Sequence, residues 1–267
     1  MITFFICLTL LVAAYFIYGR ALEKVVDIDA SAPVPSETHY DGVDYMPLPR
    51  WRIFLIQLLN IAGTGPIFGA ILGACYGPVA FVWITLGGIL MGAMHDFVAG
   101  VISLRNEGRS LPETIGKYLG RNMYRLSMVV IPILMVLVGG VFIVTPSKIL
   151  ASMTDMPYLV WVGVVIVYYF IATILPVDKI IGKIYPLFGA ALIFMALAMF
   201  GVVVVGDYEI PELLSLSNEH INAENLPIVP TLFISIACGA ISGFHATQSP
   251  LMARCVTSEK QCRPVFF

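Results

Sequence analysis

Asn60-Ile-Ala-Gly63-Thr64-Gly65-Pro66-Ile-Phe-Gly69 interrupts an otherwise apolar run over residues 53–75. Pro66 has no N–H to donate, and its ring clashes with the carbonyl four residues earlier. Gly63 and Gly65 lower the cost of leaving the helix beside it. The spacing predicts an unwound point near the middle of the run. Pro66 would then take the first position of a new half-helix, with Thr64 or Gly65 near its cap. Loose backbone is tolerated in hydrocarbon only where it lines a cavity or is buried in protein. Close glycine packing or a simple proline kink are the competing explanations, because Gly65, Gly69 and Gly73 lie four apart, as do Gly88 and Gly92.

The rest of the chain calls for the same solvent. Of 267 residues, 59% are hydrophobic and 12% charged, against about 25% charged in a soluble domain. A span needs about 20 apolar residues. Seven segments qualify: 2–18, 53–75, 78–103, 126–147, 158–175, 184–205 and 230–251. Their continuous apolarity predicts helices, since barrel strands alternate. The first run has no basic residue before it and Arg20 and Lys24 after it, the reverse of a cleaved signal, so it reads as a membrane helix.

With the N-terminus outside, fourteen of the fifteen basic residues fall in cytoplasmic segments and only Lys148 outside. The outer loop 206–229 is acidic, with Asp207, Glu209, Glu212, Glu219 and Glu224. This asymmetry supports the count and the orientation. Residues 21–50 read as an irregular cytoplasmic connection. In the cytoplasmic segment 104–125, Ser110-x-x-Glu113 with Pro112 predicts a capped helix on the membrane surface.

Span seven carries Gly239-Ala-Ile-Ser242-Gly243-Phe-His245-Ala-Thr247-Gln248-Ser249-Pro250. This predicts a longer unwound stretch over 242–249 and a second half-helix near Pro250. The two breaks lie five spans apart on helices of opposite direction, as an inverted five-helix repeat requires. The two halves show no sequence similarity, so the repeat rests on break position and orientation alone. Asn60, Gly63, Thr64, Gly65, Ser242, Gly243, His245, Thr247 and Gln248 are the candidate solute-binding residues. His95, Asp96 and His245 are candidate proton carriers, since titratable groups within spans are costly and face partners or water; Lys183 lies at a span edge. Adjacent helical residues point about 100° apart, so His95 and Asp96 are not expected to pair on one face. The competing reading for each is structural: a carboxylate or imidazole satisfying polar groups between helices.

Several classes are excluded. A net charge of −2 offers no bulk attraction for nucleic acid. The five cysteines have no ligand spacing and read as free thiols. No nucleophile elbow, phosphate loop or zinc-protease motif occurs, so neither an enzyme, a metal nor a cofactor is expected. A membrane sensor remains an alternative, although it would call for a soluble signalling domain.

Tyr45-Met-Pro-Leu-Pro, Asn60 to Gly69, Met94-His-Asp-Phe97, Ser103-Leu-Arg-Asn-Glu-Gly-Arg-Ser110 and Ser242 to Ser249 together resemble the carbon starvation protein A family, in order along the chain. The resemblance implies a fold similar to the amino acid–polyamine–cation superfamily. That is an all-α membrane protein with a first helix, then the first five-helix repeat of a leucine-transporter-like inverted-repeat fold and the start of the second. It also implies proton-coupled uptake of a short peptide or of pyruvate, a small carboxylate, across the bacterial inner membrane during starvation. Family members are longer, so the chain is expected to be a fragment. Gln57 and Leu58 stand where relatives carry bulkier aromatic or histidine residues, which points to a different solute preference.

Overall fold

A computed structural model of the chain describes every residue except 175, 176, 207, 209, 241 and 242; at 64, 177–185, 238–240 and 243–246 it describes the backbone alone. The described residues are 75% helix with no strand.

Helix α1 spans Ile2–Val26 and continues eight residues past the expected end, because Ala21, Leu22, Glu23 and Lys24 are good helix formers. It stops at Asp27, whose φ of 54° is left-handed and whose N–H returns to the Glu23 carbonyl; a short polar side chain tolerates that conformation. The connection to the next span is not a loose loop. Short helix α2, Pro35–Thr38, seats Val34, Pro35 and Ser36 in the interior. Ser36 Oγ donates to the Val256 carbonyl at 2.7 Å, and Leu48 N donates to that of Cys255 at 3.1 Å.

The expected break is present. Helices α3 (Arg50–Ile61) and α4 (Thr64–Ala74) meet at 50°. The new half-helix begins two residues earlier than expected, with Gly63 as its cap and Pro66 in its third position. The first four N–H groups of a helix have no internal acceptor, so proline is harmless there. Gly63 also serves packing, since a Cβ on it would lie 3.2 Å from the ring of Phe142.

The third segment consists of α5 (Val79–Gly87), a π-helical turn (Gly88–Ala93) and α6 (Met94–Arg105). The glycines of α4 and of this segment divide by role. A Cβ on Gly73 would meet Ile236 at 2.8 Å and one on Gly100 would meet Phe266 at 2.7 Å, whereas Gly88 has only Leu11, at 3.9 Å. Close packing thus accounts for Gly73 and Gly100 but not for Gly88. Helix α7, Leu111–Leu119, starts on the expected Ser110–Glu113 capping box.

Helix α8 spans Arg121–Met153 and contains Pro132 and Pro146. Pro146 cannot donate to the Phe142 carbonyl; the Tyr169 hydroxyl of α9 (Tyr158–Ile174) donates to it instead, at 2.9 Å. Helix α10 spans Val177–Val205. A π-type turn at Ile228–Leu232 leads into α11 (Phe233–Ala240) and then α12 (Gly243–Ala253). A short turn, Glu259–Gln261, precedes α13, Cys262–Phe266. Among the described residues, four helices are long and apolar enough to cross a membrane, and five if the bent pair is one span; Tyr158–Ile174 and Ile228–Ala237 are shorter apolar helices.

Two cores hold these elements. The larger lies at the basic end and joins Val34, Ile53, Phe97, Leu104, Val256 and Phe266. The smaller, at the acidic end, joins Tyr76, Val79, Leu232 and Ile236. There Glu212 binds the N-terminal ammonium and accepts from Thr3 N at 2.8 Å.

Candidate functional site

The end of α3, the π-helical turn, α6 and the C-terminal segment surround a cavity of about 380 Å³. Among the described residues its polar side chains are Gln57, Asp96 and the phenol of Tyr15, set among Phe54, Phe266 and Phe267. Gln57 is 1% exposed. Its Nε2 donates to Ser249 Oγ of α12 at 2.8 Å, while its Oε1 is buried with no hydrogen-bond donor. A buried amide oxygen left this way costs about 1–3 kcal/mol and marks a place where a solute N–H or O–H could bind.

Asp96 is buried, and His95 Nδ1 lies 3.0 Å from its Oδ1. The expectation that these neighbours cannot pair is corrected. Their Cβ directions do diverge, but an imidazole and a carboxylate are long enough to fold toward each other at the helix surface. The two differ in burial, with side-chain exposures of 32% for His95 and 5% for Asp96. The π-helical turn just before them widens the helix, a feature frequent at functional sites.

Asn60 lies elsewhere. It lines a second cavity of about 490 Å³ with Tyr168, Phe188 and Met195, between α3, α9 and α10. The expected site is therefore divided, with the candidate binding residue Asn60 at one cavity and the candidate proton carrier Asp96 at another. Gly63 stands against Phe142, and Gly65 lies within α4. Thr247 approaches Met135 of α8, its Oγ1 3.9 Å from the sulfur. Gln248 is half-buried.

The second break is also corrected. Residues 243–249 are helical, and Pro250 lies inside α12 rather than at its start. Cross-helix bonds favour that geometry: Gln57 holds Ser249, and Ser103 Oγ donates to the Pro250 carbonyl at 3.1 Å. Ser242 lies outside the described residues, as do the side chains of Thr64, Lys183 and His245; Gly243 is described as the first residue of α12.

Ser249 was not among the expected site residues, and Gln57 was singled out only as a departure bearing on solute preference. An amide within an apolar span is itself a signal, because it is costly there without a partner. Ser249 has no such mark, since serine packs readily between membrane helices.

The basic end closes beneath this cavity. Arg105 Nε and Nη2 donate to Glu259 at 2.8 and 2.9 Å, and Arg105 also reaches the Val26 and Asp27 carbonyls at 2.9 and 2.7 Å. Burial pushes the Glu259 carboxyl upward, but the bonds from Arg105 and from the Asp29 N–H outweigh it and hold the group below its usual range. Burial pushes the Cys262 thiol up to about 12, which makes it a poor nucleophile. Cys7, Cys75 and Cys262 carry free thiols. Among the described residues, no group of three or more metal-ligating side chains occurs.

The family model described as carbon starvation protein CstA matches residues 1–160 and 143–267. An uncharacterized membrane protein of Haemophilus influenzae is 40% identical, covering 100% of this chain and 86% of its own length. That alignment runs over 319 positions, more than this chain's 267 residues, so the relative carries at least 52 residues opposite gaps in this chain. The peptide transporter CstA of Bacillus subtilis is 29% identical over 89% of this chain and 50% of its own length. The pyruvate/proton symporter BtsT of Escherichia coli is 26% identical over 87% of this chain and 41% of its own. The chain thus spans half or less of the length of these transporters. No solved structure matches. With apolar helices of spanning length and a family model that matches this chain over residues 1–160 and 143–267, the chain belongs to the carbon starvation protein CstA family.

Proposed function

We propose that this chain forms the first part of a proton-coupled secondary transporter of the bacterial cytoplasmic membrane, taking up a short peptide under nutrient limitation. The observation that carries this reading is the cavity at the bent span, where Gln57 Oε1 has no donor and Asp96 is buried beside it. In this reading the chain has seven spans with the N-terminus outside. Spans two to six form one five-helix repeat, and span seven opens the next. The candidate solute contacts are the break residues Asn60, Gly63, Thr64 and Gly65 and, farther along the chain, Ser242, Gly243, His245, Thr247 and Gln248. Asp96, with His95 and His245, carries the proton.

The described polar side chains lining the cavity are Gln57, Asp96 and Tyr15, and no lysine or arginine is among its described lining residues. An ammonium head suits such a site better than a bare carboxylate, which favours a peptide N-terminus. Pyruvate is the second reading, and similarity to a pyruvate/proton symporter supports it.

Uptake of a labelled dipeptide and of labelled pyruvate into proteoliposomes tests both. Accumulation of dipeptide under an inward proton gradient, lost when the gradient is collapsed and lost in Asp96→Asn, is the expected result. Gradient-driven uptake unchanged in Asp96→Asn removes that residue from coupling. Accumulation of pyruvate alone replaces the peptide reading, and failure of both solutes to move in the full chain overturns transport of either.

A further inference from the structure

A third cavity, of about 570 Å³, lies at the end of α1 and is lined by Arg20, Glu23, Lys24, Asp27, Lys260 and Arg263. A helix of 25 residues is roughly 37 Å long at about 1.5 Å per residue, against about 30 Å of hydrocarbon. The last turns of α1 therefore emerge at headgroup depth. Its body is apolar and little covered by protein, with Phe16, Ile17 and Val25 exposed.

The charges of this cavity are unevenly matched. Arg263 Nη1 lies 3.1 Å from Glu23, and the carbonyls ending α1 are occupied by Arg105. Arg20, Lys24 and Lys260 are exposed and make no ion pair or hydrogen bond among the described residues. Arg263 is fixed in place: its guanidinium lies 5.2 Å over the Tyr15 ring, and its Cδ lies 3.1 Å from where a Cβ on Gly19 would be. Its buried Nε has no acceptor.

We propose that this cavity binds a phosphate group, and that the group belongs to the headgroup of an anionic lipid. A held guanidinium offers directed N–H donors to phosphate oxygens, and lysines add point charge. The acyl chains would lie along the exposed apolar side of α1. Basic residues at the inner end of a span also arise from general topological anchoring, which requires no specific cavity, so the two explanations differ in whether position matters.

The test compares two triple variants of the full chain, both removing three cations. Arg20→Gln/Lys24→Gln/Lys260→Gln empties the cavity of its free charge. Arg109→Gln/Arg121→Gln/Arg125→Gln removes the same charge from the 104–125 segment. Native mass spectrometry counts phosphatidylglycerol retained by protein taken from mixed phosphatidylglycerol/phosphatidylcholine nanodiscs, and thermal unfolding in phosphatidylcholine nanodiscs is followed with and without millimolar inorganic phosphate. The wild type should retain a bound phosphatidylglycerol, the first triple should bind it at least about tenfold more weakly, and the second should match the wild type. A phosphate-induced rise in unfolding temperature, lost in the first triple only, supports the anion site but assigns it to a soluble ligand. Equal losses in both triples, or no lipid retained and no phosphate effect, overturn the site.

Discussion

The basic end of the molecule and the arm formed by α8, α9 and α10 are built from similar apolar residues with opposite results. At the basic end, Ile53, Phe97 and Leu104 are closed in by the 27–49 connection and the C-terminal segment, and polar bonds tie these pieces across the chain. On the arm, none of the most apolar stretch of α8 is buried; Leu137 is 65% and Val205 85% exposed. Its described cross-helix bonds are few, Tyr169 to Phe142 among them. Hydrophobicity by itself therefore does not say whether a surface meets protein or lipid. The polar partners within reach decide it, because a buried polar group must be matched.

The largest expected effect is at the Arg105–Glu259 pair. Arg105→Met leaves Glu259, 1% exposed, without its cation, and breaking a buried pair costs about 3–5 kcal/mol. Arg105 is 38% exposed, so solvent screening places the loss near about 3 kcal/mol, read as a fall in unfolding temperature in detergent micelles. Arg105→Met/Glu259→Met should recover most of it, and a single variant as stable as wild type would show that the basic end is held by apolar packing alone. Acid probes the same pair. The folded carboxyl of Glu259 titrates below its unfolded value, so its stabilisation is complete above the unfolded pKa and disappears as pH falls through the folded one. Stability should fall with acid in that window, and fall less steeply in Glu259→Gln.

A smaller loss is expected at Gly100. A Cβ there meets Phe266 at 2.7 Å, so Gly100→Val should cost about 1–3 kcal/mol by overpacking. Tyr169→Phe, on the arm, removes the hydroxyl that donates to the Phe142 carbonyl and should cost about 1 kcal/mol. Leu137→Ala should change stability by less than about 0.5 kcal/mol, since its side chain is mostly exposed and has no such partner. Equal losses for Leu137→Ala and Gly100→Val, measured side by side, would break the contrast between the two regions.

Much of the fold was legible in the chain. The long apolar runs, the bend at Gly63 and the Ser110–Glu113 cap are each local events, caused by residues within one or two turns of one another. The site was legible only in part. Asp96 was marked by its charge in an apolar span, yet its contact with His95 and the separation of Asn60 into another cavity were not. Nor does helix counting in this chain settle the repeat. The Haemophilus relative has at least 52 residues opposite gaps, room for up to two further spans at about 20 residues each, so the expected spacing of five spans between the two glycine–proline stretches rests on a count made in this sequence alone. Mapping the topology of both proteins by cysteine accessibility would sharpen that point.

The sequence by itself determined an all-helical chain with basic and acidic ends, a second span broken at glycine and proline, and family membership. Tertiary structure alone decided that Gln57 meets Ser249, that residues 243–249 stay helical, and that the C-terminal aromatics wall the cavity beside Asp96. The reason is geometric. Helical pattern repeats within about four residues, whereas a difference of one residue turns a side chain by about 100°, so which faces meet depends on bends and rotations that no short stretch of sequence contains.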